Sequence, residues 1–109
     1  MPPSSGWLIV IEVDTGAIPK VRHDVRRRRY GAVTWLIRKN DWYRIDKTGD
    51  LVWLCCEDGI SLAGIATKLA DALETDLREA LAATILTISR FQAHGLVEAI
   101  LDLRSEATS

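Results

Sequence analysis

Residues 32–56 read AVTWLIRKNDWYRIDKTGDLVWLCC, and a change of period inside this stretch decides the fold. Val33 to Ile37 alternates in the manner of a strand, with Trp35 on one face and Leu36 on the other. Arg38 to Asp41 is a polar turn, and Trp42 to Ile45 pairs back as the next strand. Asp46 stands where a helix N-cap belongs, because its carboxylate can accept from the free amides of a first turn. The helix it opens is expected to turn Leu51, Val52, Leu54 and Cys55 inward, with Trp53 alongside, and to stop at Asp58-Gly59.

The pattern extends on both sides. Upstream, Val21 to Tyr30 is polar and alternating; its first half reads as a strand and the arginine run Arg26, Arg27, Arg28, Arg29 as that strand's exposed end. Trp42 to Ile45 is then the third strand of a meander. Further upstream, residues 7–13 (WLIVIEV) read as an extra N-terminal strand. So apolar a strand must be covered by its own sheet, a second protomer or a ligand groove, which makes a homodimer plausible. Downstream, Ser61 is a cap, and Leu62, Ile65, Ala66, Leu69 and Leu73 mark the buried face of a second helix. Thr75 is expected to cap a third helix with a core stripe of Leu77, Leu81, Thr84, Ile85, Ile88 and Phe91. Gly95 is its left-handed stop, and Leu96, Val97 and Ile100 pack a final short strand or turn. The expected fold is α+β: a winged helix-turn-helix, with a three-stranded antiparallel sheet followed by three helices.

Composition bounds the function. The chain has 109 residues, 48% apolar and 27% charged, with a formal net charge of -1. That is one domain with enough apolar matter for a core and no global field toward nucleic acid or membrane. The charge is uneven: residues 1–56 carry ten Lys/Arg against six Asp/Glu, and residues 57–109 carry four against nine. Cys55 and Cys56 are adjacent and read as buried thiols, which suits a reducing cytoplasm. No secretory signal is visible and no apolar run approaches the ~20 residues of a membrane span. His23 and His94 lie far apart with no nucleophile motif near either, and no phosphate loop, dinucleotide fingerprint or zinc-protease motif is present. These motifs offer no enzyme reading and no metal site.

Nucleic acid is suggested only by the arginine run, whose side chains could contact phosphates. The third helix argues against a winged-helix DNA-binding regulator, which is the alternative reading. It carries Arg78 and Arg90 against Asp76 and Glu79, and has no Lys, Asn or run of Gln to read base edges. Its exposed shoulders are expected to be Ala80, Ala82, Ala83, Leu86, Thr87 and Ser89, small or apolar, which leaves a shallow trough. An edge strand beside such a trough is the geometry of β-augmentation, in which a peptide adds as a strand and drops alternate side chains into pockets.

Several features in order resemble one family. They are the strand pair around RKND, Gly49 with Trp53, Gly59, Ile65 with Leu69, the segment DGISLAGIATKLADAL, and the close FQAHGLVEA. Together they are similar to the PqqD-like peptide-recognition domains, the recognition elements of ribosomally made, post-translationally modified peptides. The nearest resemblance is to the leader-binding chaperones of lasso-peptide biosynthesis. In GAVTWLIRKNDWYRID, Trp42 and Tyr43 take the family's aromatic pair, Ile45 its aliphatic place, and Asp46 stands where the family has Asn. Ala83-Thr84 and Thr87-Ile88 depart from the family's third-helix pattern.

The resemblance covers roughly residues 19–99 and implies a free-standing protein that does no chemistry and needs no cofactor. Such a protein binds the leader of a precursor peptide and delivers it to a separate enzyme, a leader peptidase followed by an ATP-dependent macrocyclase. An adaptor for a radical-based peptide-modifying enzyme uses the same fold. The implied leader site is Trp42, Tyr43, Arg44 and Ile45 on the third strand with Ala80, Ala83, Thr84, Thr87 and Ile88 on the third helix. Arg26 to Arg29, with Arg44, would steer an acidic peptide or enzyme surface. The chain thus divides into an N-terminal extension (1–18), the recognition domain (19–103) and a tail (104–109).

Overall fold

The computed structural model describes residues 14–100. The elements run β1 (Val25–Tyr30), β2 (Val33–Arg38), β3 (Asp41–Ile45), α1 (Lys47–Glu57), α2 (Leu62–Leu73) and α3 (Leu77–Ala93). The strands form one antiparallel sheet in the order β1-β2-β3, so β2 is central and β1 and β3 are edges. A three-stranded sheet followed by three helices is the layout expected from the sequence. The N-terminal strand expected at residues 7–13 lies outside the described residues.

The sheet's first strand sits later than the sequence suggested. The arginine run is the strand itself, because Arg26, Arg27, Arg28 and Arg29 pair with Ile37, Leu36, Trp35 and Thr34. Strand alternation then splits the run between the two faces. Arg27 turns toward the helices and donates through Nε and Nη2 to both carboxylate oxygens of Asp50 on α1, at 2.6 and 2.9 Å. Arg26 and Arg28 turn the other way. Earlier in the chain, residues 20–22 pair with the chain end instead: Val21 bridges Val97, Arg22 N–H donates to Leu96 O, and Glu98 N–H donates to Lys20 O.

All three helices begin at a side-chain cap that accepts a first-turn amide: Asp46 from Gly49, Ser61 from Gly64 and Asp76 from Glu79. The third is a correction, since Thr75 does not cap α3 and instead donates its hydroxyl to the Glu79 carboxylate. Two further orphan amides of α2, on Leu62 and Ala63, donate to the carbonyls of Ala17 and Thr15, which ties the incoming chain to the helix start. Gly49 is a glycine for reasons of space. A Cβ there would stand 3.2 Å from Ile45 Cβ, and its absence lets the first turn of α1 lie against β3.

The core collects Leu36 from the sheet, Val52, Trp53, Cys55 and Cys56 from α1, and Leu62, Ile65, Ala66 and Leu69 from α2. Ala80, Ile88 and Phe91 of α3 join them with Leu96 and Val97. Trp53 and Phe91 meet edge to face, with ring centroids 5.6 Å apart. Three expected core positions face out: Leu54, Leu73 and Leu77 are 38%, 47% and 57% exposed. The α3 stripe is turned by about one position, so that Ala80, Thr84, Ile88 and Phe91 are the buried residues. Ala80 is therefore core and not a shoulder.

Candidate functional site

A groove of about 940 Å³ opens between the β3 edge and α3, with the start of α1 at one end. Its α3 wall is made by Ala83, Leu86, Thr87, Arg90, Phe91 and His94, spaced three and four apart along one face. Ala83, Leu86 and Thr87, the small and apolar part of this wall, lie next to the buried stripe, and Phe91 belongs to both. Arg44 and Ile45 of β3 form the opposite wall, and Leu51 and Leu54 of α1 line it as well. β3 pairs only with β2 among the described residues, so the backbone groups along its outer side have no strand partner there. The site thus joins an open strand edge to an apolar trough.

The residues implicated by the sequence divide into groups. Arg44 and Ile45, with Ala83 and Thr87, line the groove. Tyr43 is half-buried on the helix side of the sheet, its ring 4.6 Å from that of His94, which lines the groove. Ala80, Thr84 and Ile88 are each fully buried beneath the wall. Thr84 is held there by its hydroxyl, which donates to Ala80 O at 2.8 Å. Trp42 projects from the opposite face of the sheet. There it stacks on Tyr30 and meets Trp35 edge on, both at 5.9 Å, beside Arg26 and Arg28.

Leu86 is 53% exposed and the most prominent apolar side chain of the wall. The sequence marked it as an exposed shoulder but gave it no role. Arg90, Phe91 and His94 were not assigned to the site either. Their signal was the i, i+3, i+4 spacing from Ala83, which becomes visible only once the buried stripe is fixed.

Among the described residues no group of three or more His, Cys, Asp or Glu side chains comes together as a metal would require. The thiols of Cys55 and Cys56 are buried in the core, and burial pushes both up, Cys56 to about 12. No helix among the described residues is long and apolar enough to cross a membrane.

No protein-family model and no curated protein matches the chain. A solved structure does. The chain is similar in fold to TbiB1 in complex with the TbiA(beta) leader peptide. The TM-score is 0.69 at 15% identity, over 76% of this chain and 99% of the solved one. At that identity the likeness is one of fold.

Proposed function

We propose that this chain is a non-catalytic recognition protein that binds the leader segment of a ribosomally made precursor peptide in the groove between β3 and α3. The observation that carries this reading is the β3 edge, which has no strand partner among the described residues, beside a trough of Ala83, Leu86 and Thr87. The fold shared with a protein solved together with a leader peptide supports it. The leader adds as a fourth strand, main-chain pairing to β3 supplies affinity, and alternate side chains in the trough supply selectivity. Binding raises the effective concentration of the precursor at a separate maturation enzyme. In a lasso-peptide setting that enzyme is a leader peptidase, with a macrocyclase acting after it. The buried thiols of Cys55 and Cys56 suit work in a reducing cytoplasm.

The test is a titration with lasso-precursor leader peptides, and separately with duplex DNA, at about 150 mM salt. Wild type should bind leader and show no sequence-selective DNA binding. Thr87→Trp fills the trough from a half-buried wall position, so it should fold normally and lose leader binding by ten-fold or more, roughly 1.4 kcal/mol. A folded Thr87→Trp variant with unchanged leader affinity would place the site elsewhere. Selective duplex binding without a leader response would replace this reading with that of a DNA-binding regulator.

A further inference from the structure

We infer that the occupant of the groove is an anionic strand: an extended peptide with apolar side chains on the trough and Asp or Glu side chains at the groove's cationic rim. The inference rests on the peptide-binding reading above and adds the charge class of the ligand. Arg29, Arg44, Lys47 and Arg90 all line the groove. Two carboxylates line it with them, and both are already engaged. Asp50 is gripped on both oxygens by Arg27 from the sheet. Asp46 accepts the Gly49 amide at 2.7 Å as the cap of α1. The ion pairs among the described residues are Arg27–Asp50 and Arg38–Asp24, so none of the four rim cations has a carboxylate partner there. Among the described residues the rim therefore holds a surplus of positive charge without a carboxylate partner.

Strand geometry says where the complementary charge belongs. In β3, Ile45 pairs with buried Thr34 and lies on the helix side, whereas Arg44 pairs with Trp35 and lies on the other face. A strand added to β3 alternates in the same way. Its inward residues meet Ala83, Leu86 and Thr87. Its outward residues stand beside Arg44 as cross-strand neighbours, where an opposite charge is favourable and a like charge is not. Arg90, one turn along α3 from Thr87 and Leu86, reaches the same ligand from the helix side. Arginine at both places suits carboxylates, whose two oxygens match the guanidinium fork. A neutral or basic strand would cover these cations without pairing them, which costs affinity.

The experiment uses three blocked peptides of about twelve residues, with Leu at alternate positions and either Glu, Gln or Lys between them. Affinities are measured at about 50 and about 300 mM salt for wild type, for Thr87→Trp and for Arg44→Gln/Arg90→Gln. The Glu peptide should bind wild type roughly ten-fold more tightly than the Gln peptide at low salt, and the Lys peptide more weakly still. The Glu preference should shrink at high salt and in the double variant. Equal binding of the Glu and Gln peptides, or a Glu preference that survives in the double variant, overturns the inference. If the Gln peptide binds equally well and Thr87→Trp abolishes its binding, the anionic class fails while the groove stands as a peptide site. If no peptide binds, the groove reading fails together with the inference.

Discussion

Cys56 sits 4% exposed in the last turn of α1, and its thiol is pushed up to about 12, first by burial and then by the neighbouring Cys55 and Glu57. An ordinary thiol titrates near 9.0. Above that value the unfolded chain releases a proton that the fold retains. The contribution of Cys56 to stability is therefore whole below about 9.0 and is lost as pH rises toward about 12. Urea denaturation across this range should show stability falling by at most about 1.4 kcal/mol per pH unit for this one proton. Cys56→Ala should flatten that slope, although its stability at neutral pH is lower. An unchanged slope in the variant would assign the alkaline loss to other groups. Thr84 shows what a single residue conceals in sequence. By sequence it belongs both to the core stripe of α3 and to the expected leader site. In the fold its hydroxyl satisfies itself on the carbonyl one turn back, and the residue packs as core. Replacing Thr84 with a large side chain would probe packing, while Thr87 probes the groove.

The helices are joined by tight corners, and the one between α2 and α3 carries strain. Glu74 caps α2 with φ of 54°, a left-handed conformation that suits glycine. The corner is fixed by the Thr75 amide, which donates to the Ala70 carbonyl at 3.0 Å. A side chain in this conformation costs about 1–2 kcal/mol, and glycine loses about 0.5–1 kcal/mol through its freer unfolded state. Glu74→Gly should therefore stabilise the chain by up to about 1 kcal/mol, read as a higher urea midpoint, and Glu74→Ala should not. A lower midpoint for the glycine variant would mean that the Glu74 side chain makes a favourable contribution of its own. Element boundaries were legible where caps announce them: Asp46 and Ser61 open α1 and α2 as their sequence neighbourhoods suggest. Asp76 took the third cap from Thr75 because its carboxylate reaches the Glu79 amide at 2.8 Å, a choice that two adjacent capping residues leave open in sequence. The face of α3 was harder to place. Its small residues continue around the helix, and packing against α2 and Trp53 decides which of them are covered.

At the scale of the molecule, the basic sheet stands against an acidic helical half, and the arginine run contributes to this field without sitting wholly in the groove. Arg26 and Arg28 lie on the far face of the sheet beside Tyr30 and Trp42. Their expected effect on an acidic ligand is long-range. Arg26→Gln/Arg28→Gln should slow leader association several-fold at about 30 mM salt and leave it nearly unchanged at about 500 mM, with dissociation little altered. An equal loss at both salt concentrations would mean that this face contacts the ligand directly. Arg27 is left out of the substitution because its pairing with Asp50 clamps the sheet to α1.

Local patterns along the chain were enough to specify the order of elements, the antiparallel pairing around residues 38–41, two of the three caps and most of the apolar core. Each of these depends on neighbours a few residues away: a period of two in the strands, a period near 3.6 in the helices, and a capping side chain three residues ahead of the amide it accepts. Which residues form the groove depends instead on how distant elements pack together. Whether Ala80 or Ala83 faces the groove depends on the rotation of α3 about its own axis, and that rotation is set by Phe91 meeting Trp53 and by Thr84 and Ile88 seating in the core. The same holds for the arginine run, in which four identical side chains differ only in face. Strand alternation sends Arg27 to Asp50, Arg29 to the groove, and Arg26 and Arg28 to the opposite side of the sheet.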